Sequence, residues 1–108
     1  MPYFALTYDV VPGFVDRRMA YREAHLKRVR DAHDRGELVM AGAVGDPPDG
    51  ALLVFRAESA AVAETFAKTD PYVLEGLVTS WRVRPWHVVI GAPRQAPGES
   101  EPAVPRPL

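Results

Sequence analysis

One histidine and one aspartate carry most of the chemistry that this 108-residue chain can offer. His25 lies in a stretch with helical spacing, and Asp70 heads the tripeptide Asp70-Pro71-Tyr72. An imidazole held by a carboxylate is a proton carrier near neutral pH, because the acid orients the ring and stabilises its protonated form. His25 sits at the margin of its helix's apolar stripe, where a helix-sheet seam can open into a pocket. Its plainer alternative is a half-buried or surface histidine bonded to a neighbour. Asp70 follows Phe66 by four residues and so extends an inward helical face, where an acid is not placed for simple solvation. Its plainer alternative is a turn or cap, bonding backbone amides near Pro71.

Two further residues could serve such a pair. Arg22 leans inward, one turn before His25. Its guanidinium fork suits a substrate carboxylate or phenolate, or it pairs with Asp70, Glu23 or Asp9. Tyr72 either donates a hydrogen bond into a pocket or packs with its hydroxyl at the surface. His33 lies in the apolar stripe and is expected to bond a backbone carbonyl. His87 follows Trp86 on the last strand. A shared metal is not expected. His25 and His33 stand about 12 Å apart along a helix, whereas two ligands of one zinc must both reach within about 2 Å of it. Gly42 and Gly45 run into Pro47-Pro48 and not into a helix, so they make no nucleotide-binding loop. No serine sits in a nucleophile elbow.

The elements that must position these residues read as a strand-helix-strand-strand-helix-strand order. Tyr3 to Val10 alternates, with Phe4, Leu6, Tyr8 and Val10 on one face. Val11-Pro12-Gly13 breaks the strand. Asp16 is the expected cap of a helix from about Val15 to Arg35, with Val15, Met19, Leu26 and Val29 as its stripe and Gly36 as its stop. Leu38 to Val44 and Ala51 to Arg56 form a hairpin across Asp46-Pro47-Pro48-Asp49-Gly50. Ser59 is the expected cap of a second helix, with Val62, Ala63 and Phe66 inward. Pro71 to Gly76 is a short extra turn. Thr79 to Ile90 is the last strand, with Pro85 marking a bulge or an edge.

That order is the ferredoxin-like βαββαβ arrangement of an α+β domain, with both helices on one sheet face. The opposite face is expected to carry Tyr3, Ala5, Leu53, Phe55 and one row of the last strand. The row is either Trp81, Val83 and Val89 or Trp86, Val88 and Ile90. A face so apolar is best covered by a second copy, which predicts a homodimer. Five of the eleven prolines fall in residues 92–108. The division is therefore a domain at 1–91 and a proline-rich tail that builds no core alone.

Composition narrows the partners. The net charge is −1, and no basic run argues for nucleic acid. With no cysteine there is neither disulfide nor thiolate chemistry. Nothing reads as a signal peptide, and no apolar run is long enough to span a bilayer. A cytoplasmic protein with no membrane partner, working on a small molecule, is expected.

Taken together, Arg22-Glu23-Ala24-His25-Leu26, His33-Asp34-Arg35-Gly36-Glu37-Leu38, Ala41-Gly42 and Asp70-Pro71-Tyr72 resemble the YCII-related family. The resemblance spans about residues 3 to 90. It implies a dimeric α+β barrel built from two ferredoxin-like subunits, with an active-site His-Asp pair that maps to His25 and Asp70. The family is similar to muconolactone isomerases and includes an enzyme type that eliminates halide from an aromatic ring. The Asp46–Gly50 loop is shorter than in many relatives, and that loop can wall a pocket. The expected function is a cofactor-independent lyase or isomerase acting by proton transfer on a small cyclic, anionic or phenolic compound. Arg22 and Tyr72 would bind that compound. The alternative is a non-catalytic domain that binds a small ligand in the same pocket.

Overall fold

The computed structural model describes residues 1–91, and the tail expected at 92–108 lies outside them. The strands are β1 (Tyr3–Val10), β2 (Leu38–Val44), β3 (Gly50–Arg56) and β4 (Val78–Trp86). The helices are α1 (Phe14–Arg17), α2 (Arg22–Asp34), α3 (Ala61–Thr69) and α4 (Pro71–Leu74), with a 3₁₀ turn at Arg18–Ala20. The sheet is antiparallel throughout, in the order β2-β3-β1-β4. Each helical crossover therefore skips one strand, which is the ferredoxin-like α+β arrangement.

Cross-strand partners share a face, so the register assigns the core. Phe4, Leu6 and Tyr8 face the helices and pair with Phe55, Leu53 and Ala51 on one side. On the other side they pair with Pro85, Val83 and Trp81. Leu6, Leu38, Leu53, Phe55 and Leu77 are almost fully buried. Burial of a side chain of that size stabilises by about 1.5–3 kcal/mol.

This register corrects the expected opposite face. Leu53 and Phe55 belong to the helix-covered core. The outward row of β4 is Arg82, Arg84 and Trp86, opposite Thr7, Ala5 and Tyr3. Trp81 and Val83 pack against the core instead. The last strand also stops at Trp86, its last partner being Tyr3 near the start of β1. Val89 and Ile90 are exposed beyond it, as is His87. Pro85 does lie on an edge strand, where a missing N–H is tolerated.

The first helix is not continuous. Gly13, in the left-handed region at φ 76°, opens α1, and Asp16 lies in the first turn without capping it. At Tyr21 (φ −118°, ψ 3°) the chain leaves helical geometry before α2 begins. Met19 projects to solvent at 65 % exposure, so the apolar stripe does not run through this segment, and Phe14 is the residue that enters the core. Ala60 and not Ser59 occupies the cap position of α3, although the Ser59 hydroxyl accepts from the Ala61 N–H at 3.3 Å.

Candidate functional site

The junction of α3 and α4 sets the first component. Asp70 ends α3 in extended geometry (φ −68°, ψ 128°), and Pro71 then starts α4 at the position where a missing N–H costs nothing. The Asp70 carboxylate caps that helix by accepting the Tyr72 N–H at 3.0 Å. It is also fully buried. A buried carboxylate is costly unless its oxygens are satisfied, and this one accepts from two more donors. His25 Nδ1 lies 2.8 Å from Oδ1 and 3.1 Å from Oδ2, and the Tyr8 hydroxyl donates to Oδ2 at 2.7 Å. One side chain thus both caps α4 and meets His25.

The meeting of His25 and Asp70 depends on how α2 docks on α3. Arg28, three residues beyond His25, reaches across and donates to the Phe66 carbonyl at 3.2 Å and to the Thr69 hydroxyl. Its guanidinium also lies over the Phe66 ring, 4.6 Å from the centroid. The clamp engages the last turn of α3, immediately before Asp70. It ties the two helices together one turn from the pair.

His25 is held on its face as well as at its edge. Its ring stacks on Tyr72 with centroids 3.9 Å apart and planes within 10°. Tyr72 is in turn met edge-on by Phe14 at 5.4 Å. The imidazole thus has one nitrogen committed to Asp70 and one ring face committed to Tyr72. Because a carboxylate only accepts, Nδ1 carries the proton and Nε2 has the free lone pair in the neutral ring. With Nδ1 committed, Nε2 is the nitrogen left for a ligand. His25 lines a pocket of about 270 Å³ between α2 and the sheet.

The pocket exists because β2 and β3 present small residues there, Ala41, Gly42, Ala43 and Ala51. Phe14, Leu26, Val29 and Leu53 add apolar wall, and Tyr8 and Tyr72 reach it from the sheet and from α4. Arg18 and Arg22 bring two cations. Arg22 makes none of the expected ion pairs with Asp70, Glu23 or Asp9; Asp9 accepts instead from Ser80 at 2.7 Å. Arg22 stands beside the Tyr72 hydroxyl. Burial pushes the Tyr72 phenol above its ordinary range, against the pull of Arg22 and Arg18. The Tyr72 hydroxyl is buried and not at the surface.

Burial, and then the facing Asp70 carboxylate, raise the Tyr8 phenol far above its ordinary value, so Tyr8 remains a donor at any physiological pH. Tyr8, Arg18 and Phe14 are pocket residues that the sequence did not single out. The alternation of β1 gave the direction of Tyr8 but no hint of its distant acceptor. His33 Nδ1 donates to the Leu38 carbonyl, 2.8 Å away, as expected, but it is exposed and away from the pocket. Among the described residues no group of three or more His, Asp or Glu could hold a metal ion, and no helix is long and apolar enough to cross a membrane.

The chain is similar in sequence or in fold to several known proteins. The YCII-related domain matches residues 1–87. Protein YciI of Escherichia coli O6:H1 is 32 % identical over 84 residues, covering 69 % of this chain and 86 % of that protein. An uncharacterized Haemophilus influenzae protein is 28 % identical over 96 residues, covering 81 % of this chain and 98 % of its own. Among solved structures, a 5-chloro-2-hydroxyhydroquinone dehydrochlorinase from Burkholderia phenoliruptrix, in complex with 2,5-dihydroxybenzoquinone, superposes with a TM-score of 0.65 at 23 % identity. That match covers 78 % of this chain and 92 % of the other. An Agrobacterium tumefaciens protein superposes with a TM-score of 0.52 at 18 % identity, over 90 % of this chain and 98 % of the other.

Proposed function

The chain belongs to the YCII-related domain family, and we propose that it is a small cofactor-independent enzyme, a lyase or isomerase that transfers a proton on a small cyclic, anionic or phenolic compound. The observation that carries this reading is the 2.8 Å contact between His25 Nδ1 and buried Asp70, made by a histidine that lines a pocket. In this reading His25 Nε2 is the general base and, after accepting the proton, the general acid. Asp70 orients the ring and stabilises the imidazolium. Arg22 and Tyr72 bind the substrate. General acid-base catalysis of this kind contributes about 10²–10⁴ in rate, which suits an easy elimination or isomerisation.

The dehydrochlorinase of similar fold supplies a chemical precedent. In such an elimination a base removes a proton from the ring system, the electron pair moves into the ring, and chloride departs. The pocket of this chain is of a size for one substituted ring. We further propose that the working unit is a homodimer in which the outward sheet faces of two copies pack together.

The test is a thermal-shift screen of hydroxylated and halogenated cyclic compounds, followed by proton NMR of the hits in D₂O. Wild type should catalyse elimination or ring-proton exchange on at least one hit, and His25→Ala should lose it by about 10²-fold or more. Ala43→Leu, which fills the pocket floor, should lose both binding and turnover. Binding by wild type without turnover would assign the chain to the non-catalytic, ligand-binding alternative.

A further inference from the structure

Arg18 Nε is buried and has no hydrogen-bond partner among the described residues. The Tyr72 hydroxyl is also buried, in a residue only 3 % exposed; Arg22 beside it can only donate, so among the described residues the hydroxyl's own proton has no acceptor. Both residues line the pocket that His25 lines, together with Arg22. Buried polar groups in folded proteins almost always have partners. Two left open in one pocket, beside a further guanidinium, describe a site built for something that accepts hydrogen bonds. Arg18 is set there by the 3₁₀ turn between α1 and α2, and its guanidinium rests over the Phe14 ring at 5.4 Å.

Charge sharpens the identity of the acceptor. Arg18 and Arg22 are permanent cations, and among the described residues no carboxylate lines the pocket. Neither makes an ion pair with Asp70, whose oxygens accept from His25, Tyr8 and the Tyr72 N–H. The other walls are apolar, with Phe14, Leu26, Val29 and Leu53 prominent. The fitting ligand therefore has an apolar body and an anionic oxygen. The stacking of His25 on Tyr72 at 3.9 Å places the base and the hydroxyl donor next to each other.

We propose that Arg18, Arg22 and Tyr72 form a binding site for the ionised ring oxygen of a phenolic or enolic ligand, so that this protein selects the oxyanion over the neutral ring alcohol. This deepens the proton-transfer reading and rests on it for the ligand's location beside His25. An oxyanion delivered in this way needs no further deprotonation at that oxygen. His25 is then free to act on a neighbouring position of the ring. Arg18 is a binding residue in this scheme, additional to Arg22 and Tyr72.

The experiment uses para-nitrophenol, a non-reacting probe whose phenolate absorbs visible light. Its ionisation is followed spectroscopically against pH, bound to the full-length protein and free in buffer. Bound to wild type, it should ionise about one to three pH units lower than in buffer, the effect expected of nearby cations. Arg18→Met should return much of that difference, and Tyr72→Phe, which keeps the stack on His25, a smaller part. Ala43→Leu should abolish binding, which locates the probe. A bound probe that ionises as in buffer overturns the proposal, as does binding that survives Ala43→Leu. A lowered midpoint that Arg18→Met leaves unchanged overturns the part given to Arg18. The wild-type titration decides the charge preference even if a variant fails to fold. Because the probe does not react, its result is separate from loss or retention of turnover in His25→Ala.

Discussion

Tyr8 donates its hydroxyl to Asp70 at 2.7 Å across the core, from the middle of β1 to the junction of two helices 62 positions away. The bond satisfies a carboxylate oxygen that burial would otherwise make costly. It also fixes the plane of the carboxylate on which the His25 ring is oriented. Tyr8 thus acts on the candidate base through Asp70.

Tyr8→Phe should therefore weaken both the fold and the site. Leaving a buried acceptor short of a donor costs about 1–3 kcal/mol, and more when the group is charged. A loss of that size should appear in urea unfolding. On any substrate found, the variant should lower kcat while leaving KM nearly unchanged, and it should alter the pH profile. A purely structural tyrosine would lower the yield of folded protein without changing the profile.

The same hydroxyl makes stability sensitive to alkali. Its pKa in the folded chain lies well above the ordinary 10.0, because of burial and the Asp70 charge. Below about pH 10 both states hold the proton, and the Tyr8–Asp70 contribution is complete. Above it the unfolded chain releases the proton and the folded chain does not, so stability falls with rising pH. The slope for one proton is about 1.4 kcal/mol per pH unit. Chemical denaturation from pH 9 to 11 should show this decline in wild type and a shallower one in Tyr8→Phe.

The outward sheet face yields a separate expectation. Met40, Val44 and Trp86 are exposed there at 62 %, 52 % and 44 %, near Tyr3, Leu52 and Val54. Arg82 and Arg84 make this face less apolar than the sequence suggested, but two such faces can still bury a common apolar centre. Light scattering at micromolar concentration should report twice the chain mass. Met40→Glu combined with Trp86→Glu should shift the equilibrium toward monomer. A monomeric wild type would rule out the stacked-sheet arrangement.

The proposed division at residue 91 has its own check. Residues 92–108 are proline-rich and carry no apolar periodicity. Ending the chain at Gly91 should leave the melting temperature within a few degrees of the full chain, since residues 92–108 contain few large apolar side chains. A large drop would assign those residues a packing role.

How far the sequence revealed this site depended on the reach of each signal. His25 and Asp70 were legible because each sits on a local pattern: helical spacing for one, a helix end followed by Asp-Pro for the other. Tyr8 was not, because alternation fixes only the face of a strand residue and is silent about a partner far along the chain. The faces of β3 were misread because Leu52-Leu53-Val54-Phe55 is apolar without alternation, so only the register of the Asp46–Gly50 hairpin could decide them. Trp86-His87-Val88-Val89-Ile90 has strand-like residues, but β1 offers no partner beyond Tyr3. The break at Tyr21 was hidden by an apparently continuous helical stripe, and with it the position of Arg18.

The central claim is that Asp70 holds His25 with its proton on Nδ1, leaving Nε2 as the base. It is tested most directly by nitrogen-15 NMR of His25 at a pH where its ring is neutral. The geometry predicts that Nδ1 gives the shift of a protonated, hydrogen-bonded nitrogen and Nε2 that of a bare one, and that Asp70→Ala removes this preference. A neutral ring protonated mainly at Nε2 in the wild type, or a tautomer balance indifferent to Asp70→Ala, would contradict it.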